Sequence, residues 1–219
     1  MKMNKIAAAL CATVAFSSQA FAGTVTFDFT SVNSGATDLF KQLSVQKFDA
    51  GLGTLTGITL VYSSDVFSSV SLTNGGKKNT TAEVSVDATL SLYRPDNTLV
   101  APAVTANLYN ESVFLTKGQT IVNAASGSKT LTLNALLTST SDFALFTGTG
   151  LISSPFSVVA TSNSSSTSGL SADFTTTANG YGKVTYTFTA APVPEPETYA
   201  MLLAGLALVG VVARRRKSA

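Results

Sequence analysis

Residues Ala82–Tyr93 read AEVSVDATLSLY, and the alternation in this stretch decides the fold. Ala82, Val84, Val86, Ala88, Leu90 and Leu92 point one way along an extended chain, while Glu83, Ser85, Asp87, Thr89 and Ser91 point the other. Successive side chains of a strand lie on opposite faces, so a period of two describes a half-buried strand over one core. The pattern recurs at both ends of the body. In TVTFDFT (24–30), Val25, Phe27 and Phe29 share a face, and in KVTYTFT (183–189) Val184, Tyr186 and Phe188 do the same.

Further strands are predicted over 57–63, 67–73, 112–122, 129–135, 150–160 and 170–178. Turn residues punctuate them. Asn74-Gly75 begins a loop, Pro95-Asp96-Asn97 reads as a turn, and Asn179-Gly180 precedes the last strand. The one helical turn expected is STSDFALF (139–146), capped by Ser141 or Asp142. Phe48, Leu52, Leu55, Ile58 and Leu60 read as core, with Gly51, Gly53 and Gly57 permitting a tight bend into the strand. The low-complexity segment TSNSSSTSG (161–169) reads as an exposed hairpin tip. Short strands with frequent turns and no interior linker predict a single all-β domain, an antiparallel β-sandwich over residues 23–190.

Composition agrees. Only 12% of the 219 residues are charged, about half the usual share, and the polarity comes from Ser, Thr, Asn and Gly. Between Gly23 and Pro192 lie 8 basic residues (seven lysines and Arg94) against 10 acidic ones, a net charge of −2. The remaining cations sit at the ends: Lys2, Lys5, Arg214, Arg215, Arg216 and Lys217. The overall charge of +2 therefore reflects the termini, and nucleic-acid binding is not expected.

The two ends carry the clearest signals. MKMNKIAAALCATVAFSSQAFAGT has the three parts of a secretory signal peptide, residues 1–22: Lys2 and Lys5, the apolar stretch Ile6–Phe16, and the small residues Ala20 and Ala22 around Phe21. Secretion machinery and signal peptidase are the implied partners, with cleavage after Ala22. The only cysteine, Cys11, lies inside this leader behind Leu10, where a lipoprotein signal requires a small residue. The closing segment, 191–219, runs from Pro192, Val193, Pro194, Glu195 and Pro196 through an apolar helix over 199–213 to the basic cluster Arg214, Arg215, Arg216 and Lys217. Ala200–Ala213 covers about 21 Å as a helix, against a hydrocarbon core of about 30 Å, so the span is marginal. The cations stop transfer and remain cytoplasmic, and the prolines keep the preceding chain extended and open to a protease.

Val193-Pro194-Glu195-Pro196, the apolar stretch YAMLLAGLALVGVVA and RRRK, in that order, resemble the PEP-CTERM sorting signal of Gram-negative bacteria. That segment is also known as an ice-binding-protein C-terminal domain, a label that does not bear on ice binding because the tail is a sorting device. The resemblance implies an exosortase as partner, cleavage near Pro-Glu-Pro, a transient stay in the inner membrane, and association with exopolysaccharide at the cell surface or in the extracellular or biofilm matrix. Within the body, VQKFDAGLGTLTGITLVYS (45–63), followed by SLTNGG, SDFALFTGTG and GKVTYTF, is similar to the choice-of-anchor E domains. That family joins a surface domain to interchangeable C-terminal anchors, which implies location and fold but no activity.

Chemistry is sparse. The chain has no histidine, so the usual proton shuttle near neutral pH is missing and no hydroxyl has an imidazole to activate it. NGGKKNT (74–80) lacks the first glycine of a phosphate loop and has Lys78 where Ser or Thr should stand; it reads as a polar hairpin loop. A glycosidase needs only two facing carboxylates. The body offers Asp28, Asp38, Asp49, Asp65, Glu83, Asp87, Asp96, Glu111, Asp142 and Asp173, of which Asp28, Glu83, Asp87 and Asp173 alternate with apolar neighbours and face solvent. Asp38, Asp49, Asp96 and Asp142 fall in predicted loops but form no calcium-loop motif. The expectation is a non-catalytic protein with no cofactor or metal. A specific glycan- or ice-binding module is the alternative, with a secreted glycoside hydrolase behind it.

Overall fold

The computed structural model describes residues 21–29, 32–36, 38–165, 168–191 and 196–217. Within these run β1 (Ala22–Asp28), β2 (Val32–Ala36), β3 (Leu39–Gln46), β4 (Gly53–Asn74), β5 (Thr80–Leu92), β6 (Val104–Leu115), β7 (Thr120–Leu137), α1 (Thr140–Phe146), β8 (Leu151–Ser164), β9 (Leu170–Ala190) and α2 (Pro196–Lys217). Residues Ala22–Thr189 form one compact unit, and α2 falls outside it. One sheet has the order β1-β9-β4-β7 with β2 also on β9, and the other has the order β3-β8-β5-β6. The pairings are antiparallel. This is the sandwich that the alternation predicts.

β5 shows why the sheets stack. Its six inward residues, Ala82 to Leu92, are 0–1% exposed, while Glu83 is exposed and Ser85, Asp87 and Thr89 are half-buried. Each Val or Leu so buried contributes about 1.5–3 kcal/mol, enough for this one strand to commit its sheet to a single face. Opposite it, Ile58, Leu60, Tyr62, Val184 and Tyr186 are almost wholly buried. Rings from both sheets meet in the middle, Tyr62 and Phe156 at 5.0 Å between centroids, and Phe48, just after β3, packs on Phe188 at 5.2 Å. A bulge in β6, where Val86 pairs with Tyr109 but Asp87 with Asn107, turns both Leu108 and Tyr109 inward. Gly127 of β7 lies against that bulge, and a Cβ there would stand 2.3 Å from the Leu108 carbonyl oxygen.

Several expected boundaries move. The strands predicted over 57–63 and 67–73 are one continuous β4, because the polar run between them finds partners across the sheet. Ser63 shares a hydrogen bond with Thr132 at 2.9 Å, and Ser64 Oγ donates to the Asn179 carbonyl at 2.6 Å. The strand predicted over 112–122 is instead broken at 116–119, where Gln119 Oε1 accepts from the Thr116 amide and hydroxyl and Gly118 takes a positive φ of 72°. Asn179-Gly180 does not precede a strand but lies inside β9. Leu52 is exposed at 43%, since it ends a single 3-10 turn.

Two expected hairpins are crossovers. Residues 75–79 lead from β4 in one sheet to β5 in the other, and 165–169 lead from β8 back to β9. Residues 161–164 are paired strand, opposite Val84–Asp87. Buried Asn74 organises the first crossover: its Nδ2 donates to the carbonyls of Lys78 and Thr116 at 2.9 and 3.1 Å, and its Oδ1 accepts from Gly76 N at 3.0 Å. Three carbonyl and amide groups that the turns leave unpaired are thereby satisfied.

The predicted helical turn exists as α1, but its cap is Ser139 rather than Ser141 or Asp142. Ser139 Oγ accepts from the Asp142 amide at 3.1 Å and donates to the Asp142 carboxylate at 2.7 Å. Asp142, buried rather than in a loop, also receives Arg94 Nε at 2.6 Å. Hydrogen bonding from Arg94 holds this carboxyl below its ordinary value of 3.8. Because the folded value is depressed, the stabilisation is complete above the ordinary value and is lost as pH falls through the folded one. Asp142→Ala is expected to cost about 3 kcal/mol at neutral pH, since it strands the Arg94 guanidinium and removes the reciprocal cap contact. Thermal unfolding followed from pH 7 down to about 2 checks it: the gap between wild type and variant should close as the acid limit is approached.

Candidate functional site

The outer face of the five-stranded sheet collects the polar side chains of β1, β9, β4 and β7, and Asp65 is its hub. Asp65 lies midway along β4, opposite Thr130 of β7. Its Oδ1 accepts from Thr130 Oγ1 at 2.6 Å and from the Tyr181 hydroxyl at 3.2 Å, and its Oδ2 accepts from Asn179 Nδ2 at 3.0 Å. The Asp65 amide in turn donates to Asn179 Oδ1 at 2.7 Å. Hydrogen bonds from Thr130, then Asn179, hold the carboxyl below the usual carboxylate range. The anion is thus pinned by three side chains from the two neighbouring strands, β7 and β9, and its orientation is set by the sheet rather than by a loop.

Two open grooves flank the hub. One, of about 440 Å³, is lined by Asp65, Phe67, Lys129, Thr130, Thr177 and Asn179. The other, of about 370 Å³, is lined by Asp28, Val61, Ser63, Tyr181, Gly182 and Lys183. Phe67 and Tyr181 remain 48% and 40% exposed. Asp28 and Lys183 face one another across β1 and β9. Further along the same face Thr26 and Thr185 share a hydrogen bond at 2.9 Å.

The sequence singled out Asp65 only as one of ten carboxylates, and Asn179 only as a turn residue. Tyr181 and Phe67 were not singled out. Several of the remaining carboxylates have local duties. Asp49 Oδ1 accepts from Gly51 N at 2.8 Å, Asp96 Oδ1 from the Thr98 amide at 2.9 Å, and Asp87 from Asn107 at 3.0 Å. Glu83 is bonded to the Ser112 hydroxyl. Asp38 has a φ of 64° and is exposed. Among the described residues no group of three or more His, Cys, Asp or Glu side chains is placed to hold a metal ion.

Of the sorting residues, Val193, Pro194 and Glu195 lie outside the described residues, as does Ala20 of the expected leader; Ala22 opens β1. Pro196 is the first residue of α2, the position where its fixed φ suits a helix and its missing amide hydrogen is not needed. The helix is longer than the expected 199–213 and runs on through Arg214, Arg215 and Arg216 to Lys217. Met201, Leu202, Leu206, Leu208 and Val209 are all 60–68% exposed, so its apolar residues are not gathered into a stripe of the kind that packs on a core. Among the described residues no helix is long and apolar enough to cross a membrane.

The family model described as the PEP-CTERM protein-sorting motif matches residues 192–217. The motif indicates an exported protein that an exosortase sorts and that is held at the membrane transiently before release. Comparison with curated proteins gives no match. Among solved structures, infectious bursal disease virus Gx strain is similar at 12% identity and a TM-score of 0.26, covering 88% of this chain and 43% of that one. The VP2 subviral particle of the same virus gives 12% and 0.26, covering 87% and 42%. Mud crab tombus-like virus gives 12% and 0.24, covering 93% and 97%. The chain spans less than half the length of the first two, and likenesses this remote carry no argument about function.

Proposed function

We propose that this chain is a non-catalytic module that a Gram-negative bacterium delivers to its surface or extracellular matrix, where it associates with exopolysaccharide. The observation that carries the reading is the union of the sorting motif at 192–217 with a sandwich whose outer face presents hydroxyl, amide and ring groups. The resemblance of the body to choice-of-anchor E domains supports the same assignment. Non-catalysis is supported by the chain's lack of histidine and by the engagement of Asp49, Asp96 and Asp142 in a cap, a turn and the Arg94 pair. A surface of many hydroxyls and few charges favours numerous weak contacts with a hydrated polymer over one deep pocket.

Deletion of the gene tests the proposal. Matrix yield, cell aggregation and adhesion should fall, and expression of the full chain should restore them. A deletion strain unchanged in all three properties would overturn it.

A further inference from the structure

Phe67 and Tyr181 lie on either side of a carboxylate that cannot turn away. On β4, Ser63 lines the groove of Tyr181, Asp65 comes two residues later, and Phe67 two after that. At about 3.4 Å per residue these outward positions cover roughly 14 Å along one strand, a length suited to a short run of linked sugars. A pyranose ring has an apolar C–H face and a rim of hydroxyls. The face stacks on an exposed aromatic ring, and the rim bonds to planar carboxylate and amide groups that are already oriented. Asp65 and Asn179 hold such groups rigidly, because each fixes the other from a neighbouring strand.

Charge selects among polymers. On the outer face, among the described residues, Asp65 has no cation beside it in its register, because Lys129 pairs with inward-facing Val66, while Asp28 faces Lys183. Neither groove therefore presents the cationic surplus that recognises phosphate, sulfate or a nucleic-acid backbone. We propose that the outer face of the five-stranded sheet, centred on Asp65 and Asn179 between the rings of Tyr181 and Phe67, is a binding site for neutral polysaccharide. The site deepens the exopolysaccharide reading above and rests on it. Tyr181 has two tasks, stacking through its ring and bracing Asp65 through its hydroxyl.

Affinity electrophoresis of the exported protein, purified from its producing cells, tests the site. The gels contain dextran, laminarin or hydroxyethylcellulose as neutral polymers, alginate as the anionic one, and the producing strain's own exopolysaccharide. Retardation by a neutral polymer or by the native exopolysaccharide is expected. Tyr181→Ala and Phe67→Ala should each weaken it about tenfold, the loss of one ring contact, while Tyr181→Phe keeps most of the affinity. Phe40→Ala, which removes a ring 57% exposed on β3 of the other sheet, should leave retardation unchanged. Circular dichroism confirms that each variant is folded. No retardation in any gel, retardation by alginate alone, or equal loss in Phe40→Ala would overturn the site. Protein that reaches the matrix but fails in these gels sinks only the site, whereas protein that never leaves the cell sinks the functional reading instead.

Discussion

Gly180→Ala is expected to destabilise the sandwich by about 3 kcal/mol, and adding Tyr62→Phe should return most of that loss. The two residues contend for one volume. A Cβ on Gly180 would stand 1.9 Å from the Tyr62 hydroxyl oxygen, while the ring carbons of Tyr62 and Phe156 lie further off, at 3.1 Å. Tyr62 is fully buried, and among the described residues its hydroxyl has no hydrogen-bond partner. That hydroxyl was taken out of water without compensation, and burial pushes its pKa far upward. Tyr62→Phe alone should therefore be neutral or stabilise by about 1 kcal/mol. In the double variant the new methyl group takes the space the oxygen left. For a domain of this size each kcal/mol moves Tm by roughly 2–4 °C, so calorimetry on the four proteins of the cycle resolves the coupling. Gly182→Ala is the control. Its Cβ would meet the Val61 carbonyl oxygen at 2.3 Å, which is backbone, and Tyr62→Phe should not rescue it. Equal losses at Gly180 with and without the tyrosine hydroxyl would refute the shared-volume account.

The same pair shows where sequence reading succeeds and where it stops. Alternation in Ala82–Leu92 was decisive because burying one face of a strand is worth many kcal/mol and tolerates no slip of register. Asn179-Gly180, by contrast, carries the strongest local turn signal in the region, yet β9 runs straight through it. Tertiary packing wins there: Gly180 is glycine for the space that Tyr62 fills, and Asn179 faces outward to hold Asp65. The Ser63-Ser64-Asp65 run looked like a break for a related reason. Its polar groups are satisfied by Thr132, Asn179 and Thr130, partners that only the pairing of β4 with β7 and β9 brings near. Period two tells which residues face outward, but not which strand lies alongside. Thus the composition of the outer face was legible, and the Asp65 hub was not. Arg94 and Asp142, far apart in sequence and joined at 2.6 Å, escaped for the same reason. The tail lay at the other extreme, because its order of prolines, apolar run and cations is written along the chain itself.

Replacing Pro194, Glu195 and Pro196 together by alanine should abolish release and leave the protein held at the membrane. α2 begins at Pro196, and a proline disfavours helix in the residue before it. Alanine is the best helix former, so the substituted segment should extend α2 and remove the proline-rich stretch that the sequence offers to a protease. The apolar run is only about 21 Å long, against a bilayer core of about 30 Å, and its hold is weak enough to suit a temporary attachment. The basic cluster is expected to supply the rest of that hold. Deleting Arg214–Lys217 should therefore give the opposite phenotype, a chain that slips through the bilayer and leaves uncleaved, since no cation remains to stop it on the cytoplasmic side. Fractionation followed by intact-mass measurement separates the outcomes. The wild type should appear outside, shortened at its C-terminus; the alanine variant in the membrane fraction, with its tail intact; and the truncated variant outside, with the Pro-Glu-Pro segment still attached. Release of the alanine variant at the wild-type rate, with the wild-type C-terminus, would show that the processing enzyme reads something other than the extended proline segment.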